Sequence, residues 1–218
     1  MVEAVFFDLD GTLADTAPDL AGTLNRLLTE EGRETLPLAR LRPHVSGGVR
    51  ALLREGFGIA RDDAGYADLQ ARFLDIYASR LCEETVLFPG IEELLSRLER
   101  RGIPWGIVTN KPERFTREVV RGLGLDRRAA SVVSGDSAAL PKPAPDPLLL
   151  ACQQARVSTA SLYVGDDLRD VEAGRAAGMV TVIAAWGYLG NELPIDRWGG
   201  DHIVEHPGEI LPLLTNGA

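Results

Sequence analysis

The chain has 218 residues, of which 45% are hydrophobic and 25% charged, a composition typical of a folded globular protein with a substantial core. Its formal net charge of −9 argues against partners that require a basic surface, so we expect neither a nucleic-acid partner nor a membrane partner. A small anionic substrate is compatible with this charge, because one bound cation reverses the field within a cleft.

The sequence contains no apolar run near the roughly 18 residues that cross a bilayer. Its first residues also lack the basic segment of a secretory leader. We therefore expect a cytoplasmic protein, and we take a monomer as the default.

The first predicted element is a strand at residues 2–7, a continuous apolar run that suits burial on both faces of a sheet. A helix is predicted from Thr16 to about Gly32, with Thr16 as its N-cap and Asp19 in its first turn. A short polar segment rich in aspartate separates the two elements.

Only helices are predicted from there to about residue 85, including amphipathic stretches near 48–55 and 64–81. Helices and strands then alternate. The predicted strands are 103–108, 131–134, 161–164, 180–184 and a last one near 202–204, and the predicted helices are 91–101, 113–123, 146–155 and 171–177. This alternation indicates an α/β fold with a mainly parallel sheet. We expect residues 1–15 and 86–218 to form its core, and residues 16–85 to form an inserted helical cap.

Polar residues follow four of the predicted strands. They are Asp8 and Asp10 after the first, Thr109, Asn110 and Lys111 after the second, Lys142 after the third, and Asp166, Asp167 and Asp170 after the fourth. Ligands of open α/β sheets bind at the carboxyl ends of the strands, so we expect these side chains to converge. Clustered carboxylates repel one another unless a cation neutralises them, and their oxygens suit Mg²⁺.

These residue types fit phosphoryl transfer. An aspartate carboxylate such as Asp8 is able to attack phosphorus and form an aspartyl-phosphate. A second carboxyl group two residues later, Asp10, is placed to protonate the leaving oxygen and then to activate water. Thr109 and Lys142 supply donors to the phosphoryl oxygens, which carry charge in the transition state.

Only two of the 23 basic residues are lysine, namely Lys111 and Lys142. Lys142 lies between two prolines, whose stiffness positions a charge at low entropic cost, so we predict a functional role for it. We expect Lys111 to be exposed to solvent or to lie at the rim of the site.

Together these residues resemble the four motifs of the haloacid dehalogenase superfamily, in that family's order. The motifs are carried by residues 8–15, 108–111, 142–143 and 164–170. The resemblance implies a Rossmann-like core of three α/β/α layers with a helical cap inserted after the first motif. It also implies that Asp8 is the nucleophile and a Mg²⁺ ligand. Asp10 would be the acid/base and bind the metal through its backbone carbonyl, and Asp166 would complete the metal site.

The same resemblance assigns the remaining motif residues. Thr109, Asn110 and Lys142 would bind the phosphate, and Lys142 would also take part in catalysis. Asp167 and Asp170 would orient Lys142 or a metal-bound water.

Within this superfamily the chain is similar to phosphoglycolate phosphatase-like enzymes, and several segments are similar to N-acetylmuramic acid 6-phosphate phosphatases of peptidoglycan recycling. These segments are residues 16–19, 46–48, 105–112, 165–170, 198–201 and 206–207. The resemblance therefore implies a small phosphorylated metabolite as substrate, with N-acetylmuramic acid 6-phosphate and 2-phosphoglycolate as the leading candidates.

The predicted cap contains one candidate specificity segment, Ser46, Gly47 and the nearby Arg50. A helix N-terminus at this glycine-containing break is suited to binding an anion, and Arg50 to pairing with a substrate carboxylate. A plain turn between two helices explains the segment equally well.

Two other functions are open at this point. A sugar phosphomutase of the β-phosphoglucomutase type has the same core residues, and a non-catalytic phosphate-binding module has the same fold. Asp10 argues against the hydrolytic dehalogenases of the superfamily, which lack this second aspartate. The absence of lysine before residue 111 argues against its phosphonate hydrolases, which use a cap lysine.

Overall fold

A computed structural model describes residues 2–190 and 193–214. Its main sheet has six parallel strands, namely β1 (Val5–Phe7), β4 (Trp105–Val108), β5 (Ser131–Val133), β6 (Leu162–Gly165), β7 (Val180–Ala184) and β8 (His202–Val204). Their order across the sheet is β5-β4-β1-β6-β7-β8. The short apolar strand β1 is central, with Phe7 opposite Ile107 on one side and Val164 on the other. The mainly parallel sheet expected from the sequence is therefore confirmed.

Helices cover both faces of this sheet. They are α5 (Ile91–Arg100), α6 (Glu113–Gly122), α7 (Asp146–Ala155), α8 (Leu168–Ala177) and the short α9 (Ile210–Leu213). Successive side chains of β1 point to opposite faces. Phe7 belongs to an apolar cluster with Leu95 of α5 and Val119 of α6, whereas Phe6 belongs to another with Leu148 of α7. Two apolar cores on either side of one sheet make the three-layer α/β/α arrangement that the sequence predicted.

The segment between the first two strands of the main sheet is helical. Its elements are α1 (Ala17–Glu30), α2 (Leu38–Leu41), a 3-10 helix (Arg42–Gly47), α3 (Gly48–Phe57) and α4 (Tyr66–Ala78). Helices α1, α3 and α4 pack on one another around a further apolar cluster. No helix in residues 2–190 or 193–214 is long and apolar enough to cross a membrane.

Two short antiparallel strands flank the helical segment, β2 (Ala14–Asp15) before it and β3 (Val86–Leu87) after it. The sequence analysis did not predict them, because two residues carry no periodic pattern. They hold together the two points at which the chain enters and leaves the segment that we predict to be a cap.

The two connections are also tied to helix α1. The buried carboxylate of Asp19 accepts hydrogen bonds from the backbone of Glu84 and from both the backbone and hydroxyl of Thr85. Thr16 is the N-cap residue, as predicted, but its side chain makes no capping hydrogen bond. The hydroxyl of Tyr188 instead accepts from the backbone of Thr16 at 2.8 Å and of Ala17 at 2.9 Å.

Candidate active site

Four of the predicted side chains meet at the carboxyl end of the sheet. Oxygens of Asp8, Asp166 and Asp170 all lie within 4.8 Å of one another. The ammonium of Lys142 is 2.9 Å from Asp8 and 2.7 Å from Asp170. Asp8 and Asp166 directly follow the neighbouring strands β1 and β6, Asp170 lies in the first turn of α8, and Lys142 lies in the loop after β5, which explains the convergence.

Lys142 is almost fully buried, with 4% of its surface exposed. Its ammonium also donates to the backbone oxygen of Val108 at 3.0 Å and to the hydroxyl of Tyr163 at 2.9 Å. Burial alone lowers the pKa of a lysine, but the adjacent charges of Asp170 and Asp8 outweigh it and raise the pKa of Lys142 to about 12. Lys142 therefore holds a permanent positive charge between two carboxylates.

The acidic cluster has more negative charge than Lys142 neutralises. Burial, with the charge of Asp8 and then that of Asp170, raises the pKa of Asp166 well above its ordinary range. Burial also raises the pKa of Asp8 to about 7, although the charge of Lys142 opposes this shift. The buried Oδ1 of Asp8 makes an ion pair with Lys142 but accepts no aligned hydrogen bond from the residues that the structure describes. Three carboxylate groups whose oxygens lie within 4.8 Å of one another fit a hard divalent cation such as Mg²⁺, which prefers oxygen ligands.

Two glycines leave the space that the Asp166 side chain occupies in this cluster. A β-carbon on Gly11, which has a φ of +91°, would lie 2.1 Å from a carboxylate oxygen of Asp166. A β-carbon on Gly187 would lie 2.2 Å from the side chain of Asp166 and 2.5 Å from the backbone oxygen of Gly11. Thr12 and the backbone of Tyr188 each donate a hydrogen bond to the Asp166 carboxylate. The sequence analysis missed the roles of Gly187 and Tyr188, since neither stands in a motif.

The Asp10 carboxylate lies apart from the acidic cluster. It accepts hydrogen bonds from the Lys111 ammonium at 2.8 Å and from the Thr16 hydroxyl at 2.6 Å. The expectation that Lys111 is exposed or at the rim is wrong, because 7% of its side chain is exposed. Burial would lower the pKa of Lys111, but the charge of Asp10 raises it above the ordinary value of lysine.

The loop after β4 carries two predicted phosphate ligands. Thr109 is buried, and its hydroxyl accepts from the backbone of Lys111 at 3.2 Å. The side-chain amide of Asn110 donates to the backbone oxygen of Lys142 and accepts from its backbone nitrogen, both at 2.9 Å. Asn110 therefore fixes the segment that carries Lys142.

Asp167 is the N-cap of helix α8 and accepts from the backbone of Arg169. The guanidinium of Arg169 binds both oxygens of the same carboxylate, at 2.8 and 2.9 Å, and donates to the backbone oxygen of Ser46 at 2.7 Å. Burial acts against this charge, but the hydrogen bonds with Arg169 lower the pKa of Asp167. Arg169, which the sequence analysis overlooked, thus joins the sheet end to the 3-10 helix.

A cavity of about 350 Å³ opens beside these groups, between the sheet end and the helical segment. Asp8, Thr109 and Lys142 lie in its wall, and so do the predicted specificity residues Ser46, Gly47 and Arg50. Further lining residues that were not predicted include Gln70, Phe73, Leu74, Tyr77, Arg114 and Phe115. Phosphate-binding groups at one end and a mixed apolar and polar wall beyond them suit a small phosphorylated molecule.

Comparison with known proteins agrees with this geometry. Residues 5–184 match the family model described as haloacid dehalogenase-like hydrolase.

The chain belongs to the haloacid dehalogenase-like hydrolase family.

Two relatives of this hydrolase align over nearly all of the chain. A phosphoglycolate phosphatase of Xanthomonas campestris pv. campestris is 46% identical over 209 residues, which are 95% of this chain and 94% of the relative. An N-acetylmuramic acid 6-phosphate phosphatase of Pseudomonas aeruginosa is 40% identical over 214 residues, 98% of this chain and 95% of the relative.

Solved structures of similar fold include one described as a predicted phosphoglycolate phosphatase from Haemophilus somnus 129pt. It has a TM-score of 0.85 and 25% identity, and covers 98% of each chain. The superfamily and the Rossmann-like fold predicted from the sequence are therefore confirmed for this hydrolase.

Proposed function

We propose that this protein is a Mg²⁺-dependent phosphomonoesterase that works through an aspartyl-phosphate on Asp8. The observation that carries the proposal is a cluster of four side chains at the carboxyl end of the sheet, beside a cavity of about 350 Å³. The four residues are Asp8, Asp166, Asp170 and Lys142. A buried carboxylate beside a fixed ammonium suits attack on a phosphoryl group, because the lysine charge neutralises the oxygens that approach it.

In the first step the Asp8 carboxylate attacks phosphorus and the bond from phosphorus to the leaving oxygen breaks. Asp10, two residues away, gives that oxygen a proton. In the second step Asp10 takes a proton from water, whose oxygen attacks the aspartyl-phosphate and releases inorganic phosphate and the free Asp8 carboxylate. Lys142 and Thr109 bind the phosphoryl oxygens in both steps. The side-chain amide of Asn110 holds the backbone of Lys142 in position.

Asp8 and Asp166, with the backbone carbonyl of Asp10, would hold Mg²⁺. When bound, the ion neutralises charge on the transferring phosphoryl group and orients it. Asp170 and Asp167 have positioning roles in this scheme. Asp170 binds Lys142 and Tyr163, and Asp167 caps helix α8 and pairs with Arg169.

The leading substrates are N-acetylmuramic acid 6-phosphate and 2-phosphoglycolate, which both carry a carboxylate. Arg50 and Arg114 line the cavity, and neither makes an ion pair with the residues at 2–190 and 193–214. The other cations of the wall, Lys111, Lys142 and Arg169, are each paired with aspartate. Arg50 and Arg114 are thus the groups left to bind a substrate carboxylate.

Hydrolysis is favoured over the mutase and binding-module alternatives. Both aligned relatives carry phosphatase names, which favours hydrolysis over a mutase. The charged residues that phosphoryl transfer requires converge at the sheet end, which argues against a non-catalytic module. The cytoplasmic location and the monomeric state stay predictions.

The test of this function is hydrolysis of p-nitrophenyl phosphate by the purified protein, with and without Mg²⁺. We expect turnover that requires the ion, and its loss by at least about a thousandfold in Asp8→Asn, because an amide is not a nucleophile toward phosphorus. Glu205→Gln, an exposed change after β8, is the matched control and keeps full activity. Appreciable turnover by Asp8→Asn would refute the assignment of the nucleophile.

A further inference from the structure

The 3-10 helix Arg42–Gly47 is attached to the rest of the protein by a side chain near each of its ends. At its first residue, the Arg42 guanidinium binds the two oxygens of the Asp15 carboxylate, both at 2.9 Å. Near its last residue, the backbone oxygen of Ser46 accepts a hydrogen bond from the Arg169 guanidinium at 2.7 Å. Asp15 belongs to β2 and Arg169 to α8, so both attachments come from outside helices α1 to α4.

The attachment at Arg169 has a fixed geometry. Its Nε and Nη2 bind one oxygen each of the Asp167 carboxylate, at 2.8 and 2.9 Å, and Nη2 also donates to Ser46. Asp167 is itself held in place as the N-cap of α8. A planar guanidinium that is bound at two points has one orientation, so it cannot follow the Ser46 backbone if the 3-10 helix moves away.

The attached segment carries the predicted specificity residues. Ser46 and Gly47 lie in the 3-10 helix, and Arg50 lies in the first turn of α3, which follows directly. All three line the cavity. The groups that we propose to act on the phosphoryl group are placed by the sheet instead. The position of Ser46 therefore determines how the cavity wall meets the leaving group, while the phosphoryl site does not depend on it.

We propose that Arg169 is a positioning residue that holds residues 46–50 against the sheet end, where they contact the leaving group of the substrate. The proposal rests on the phosphatase function proposed above and deepens it by naming a residue that acts on the substrate through the Ser46 backbone. Arg169 also lines the cavity, but it is already bound to Asp167 and Ser46.

The experiment compares the wild type, Arg169→Gln and Arg175→Gln. Arg175 is the matched control, because it lies on the same helix and also donates to a backbone oxygen, that of Gly199, but does not line the cavity. One readout is amide hydrogen exchange of residues 42–50 in the free protein, measured by mass spectrometry. The other is steady-state kinetics with p-nitrophenyl phosphate, 2-phosphoglycolate and N-acetylmuramic acid 6-phosphate.

In Arg169→Gln, exchange of residues 42–50 should be about tenfold faster, because the segment has lost one of its two attachments. KM for the substrate that the wild type hydrolyses best should rise about fivefold to tenfold, while kcat changes by less than about threefold. Inhibition by inorganic phosphate, which has no leaving group, should stay within about twofold of the wild type. Arg175→Gln should match the wild type in every readout.

A further variant, Arg169→Lys, separates geometry from charge. It keeps the positive charge but lacks the planar fork that spans Asp167 and Ser46. We expect its KM to stay raised and residues 42–50 to exchange faster than in the wild type. Full recovery of both would show that charge alone is needed, and would overturn the positioning role.

Unchanged exchange of residues 42–50 in Arg169→Gln, or a KM equal to that of the wild type, would also overturn the proposal. So would weaker inhibition by inorganic phosphate, because Arg169 would then bind the phosphoryl group directly. Failure of the wild type to hydrolyse any of the three substrates would instead count against the phosphatase function, and hydrogen exchange would still test the attachment.

Discussion

Asp8 lies beside two other carboxylates and one lysine and is largely buried, and this controls how its charge depends on pH. Burial is the main cause that raises its pKa to about 7, Lys142 acts in the opposite direction, and Asp170 adds to the shift. In an unfolded chain the pKa of an aspartate is about 3.9. Between these two values the folded protein binds more protons at this group than the unfolded chain does.

It follows that the metal-free protein loses stability as pH rises through the window from about 4 to about 7. We expect its urea midpoint in EDTA to be lower at about pH 8 than at about pH 5, with a smaller difference in Asp8→Asn, which cannot ionise. An equal pH dependence in the two proteins would show that Asp8 is not the group responsible.

Lys111 shows at the residue scale what a sequence pattern leaves open. Its position after β4 was correctly recognised, but its exposure was not. Whether a lysine at a strand end is solvated or buried depends on the carboxylate that meets it, and Asp10 is 101 positions away in the chain.

At the scale of elements, the N-terminus of helix α1 is buried, and it is capped by Tyr188, a residue that is distant in the chain. The Tyr188 hydroxyl accepts from the backbone of Thr16 and Ala17 and donates to the Asp15 carboxylate, at distances of 2.8, 2.9 and 3.1 Å. The first N–H groups of a helix have no partner within it, so a buried start needs an external acceptor. Thr16 was predicted to supply this acceptor, but its hydroxyl binds Asp10 instead.

Removing that acceptor should weaken the fold. In Tyr188→Phe the buried N–H of Thr16 loses its acceptor and that of Ala17 keeps only the Asp15 carboxylate at 3.3 Å, so we expect the free energy of unfolding to fall by about 1–3 kcal/mol. Urea denaturation measures this directly. Tyr66→Phe is the control. Tyr66 is also buried, but its hydroxyl makes no hydrogen bond within residues 2–190 and 193–214, so its removal should change stability less. Equal losses in the two variants would contradict the capping role.

The strands and helices themselves were largely readable from the sequence. The apolar run at 2–7 contains β1, and the later alternation gave the right order of elements. The short pair β2 and β3 was missed. A two-residue strand forms because it pairs with a distant strand, and it is too short to show the alternation of apolar and polar residues that predicts a strand.

At the scale of the whole molecule, the acidic cluster joins the residue after β1, the residue after β6 and one residue of α8, so a cation bound there would link elements that are far apart in sequence. A ligand that binds only the folded state stabilises it by about 2.7 kcal/mol at a hundredfold excess over its Kd. We therefore expect Mg²⁺ to raise the melting temperature of the wild type and EDTA to reverse the effect.

Asp166→Asn should show little of this Mg²⁺ response, since it loses a charged oxygen donor that the rest of the site cannot replace. Differential scanning fluorimetry over a range of Mg²⁺ concentrations measures the shift. An exposed substitution, Glu205→Gln, is the control and should respond as the wild type does. An unaltered response in Asp166→Asn would place the ion elsewhere.

The sequence by itself determined the fold class and the family, together with the positions of Asp8, Thr109, Lys142 and Asp166 at strand ends. These features are local: Asp8, Thr109 and Asp166 directly follow their strands, Lys142 follows its strand after a loop, and parallel strands end at one edge of the sheet. Only the tertiary structure decided which side chains and backbone groups pair with one another. The pairing of Lys111 with Asp10 and the cap from Tyr188 both depend on contacts between distant segments, which packing fixes and local pattern does not encode.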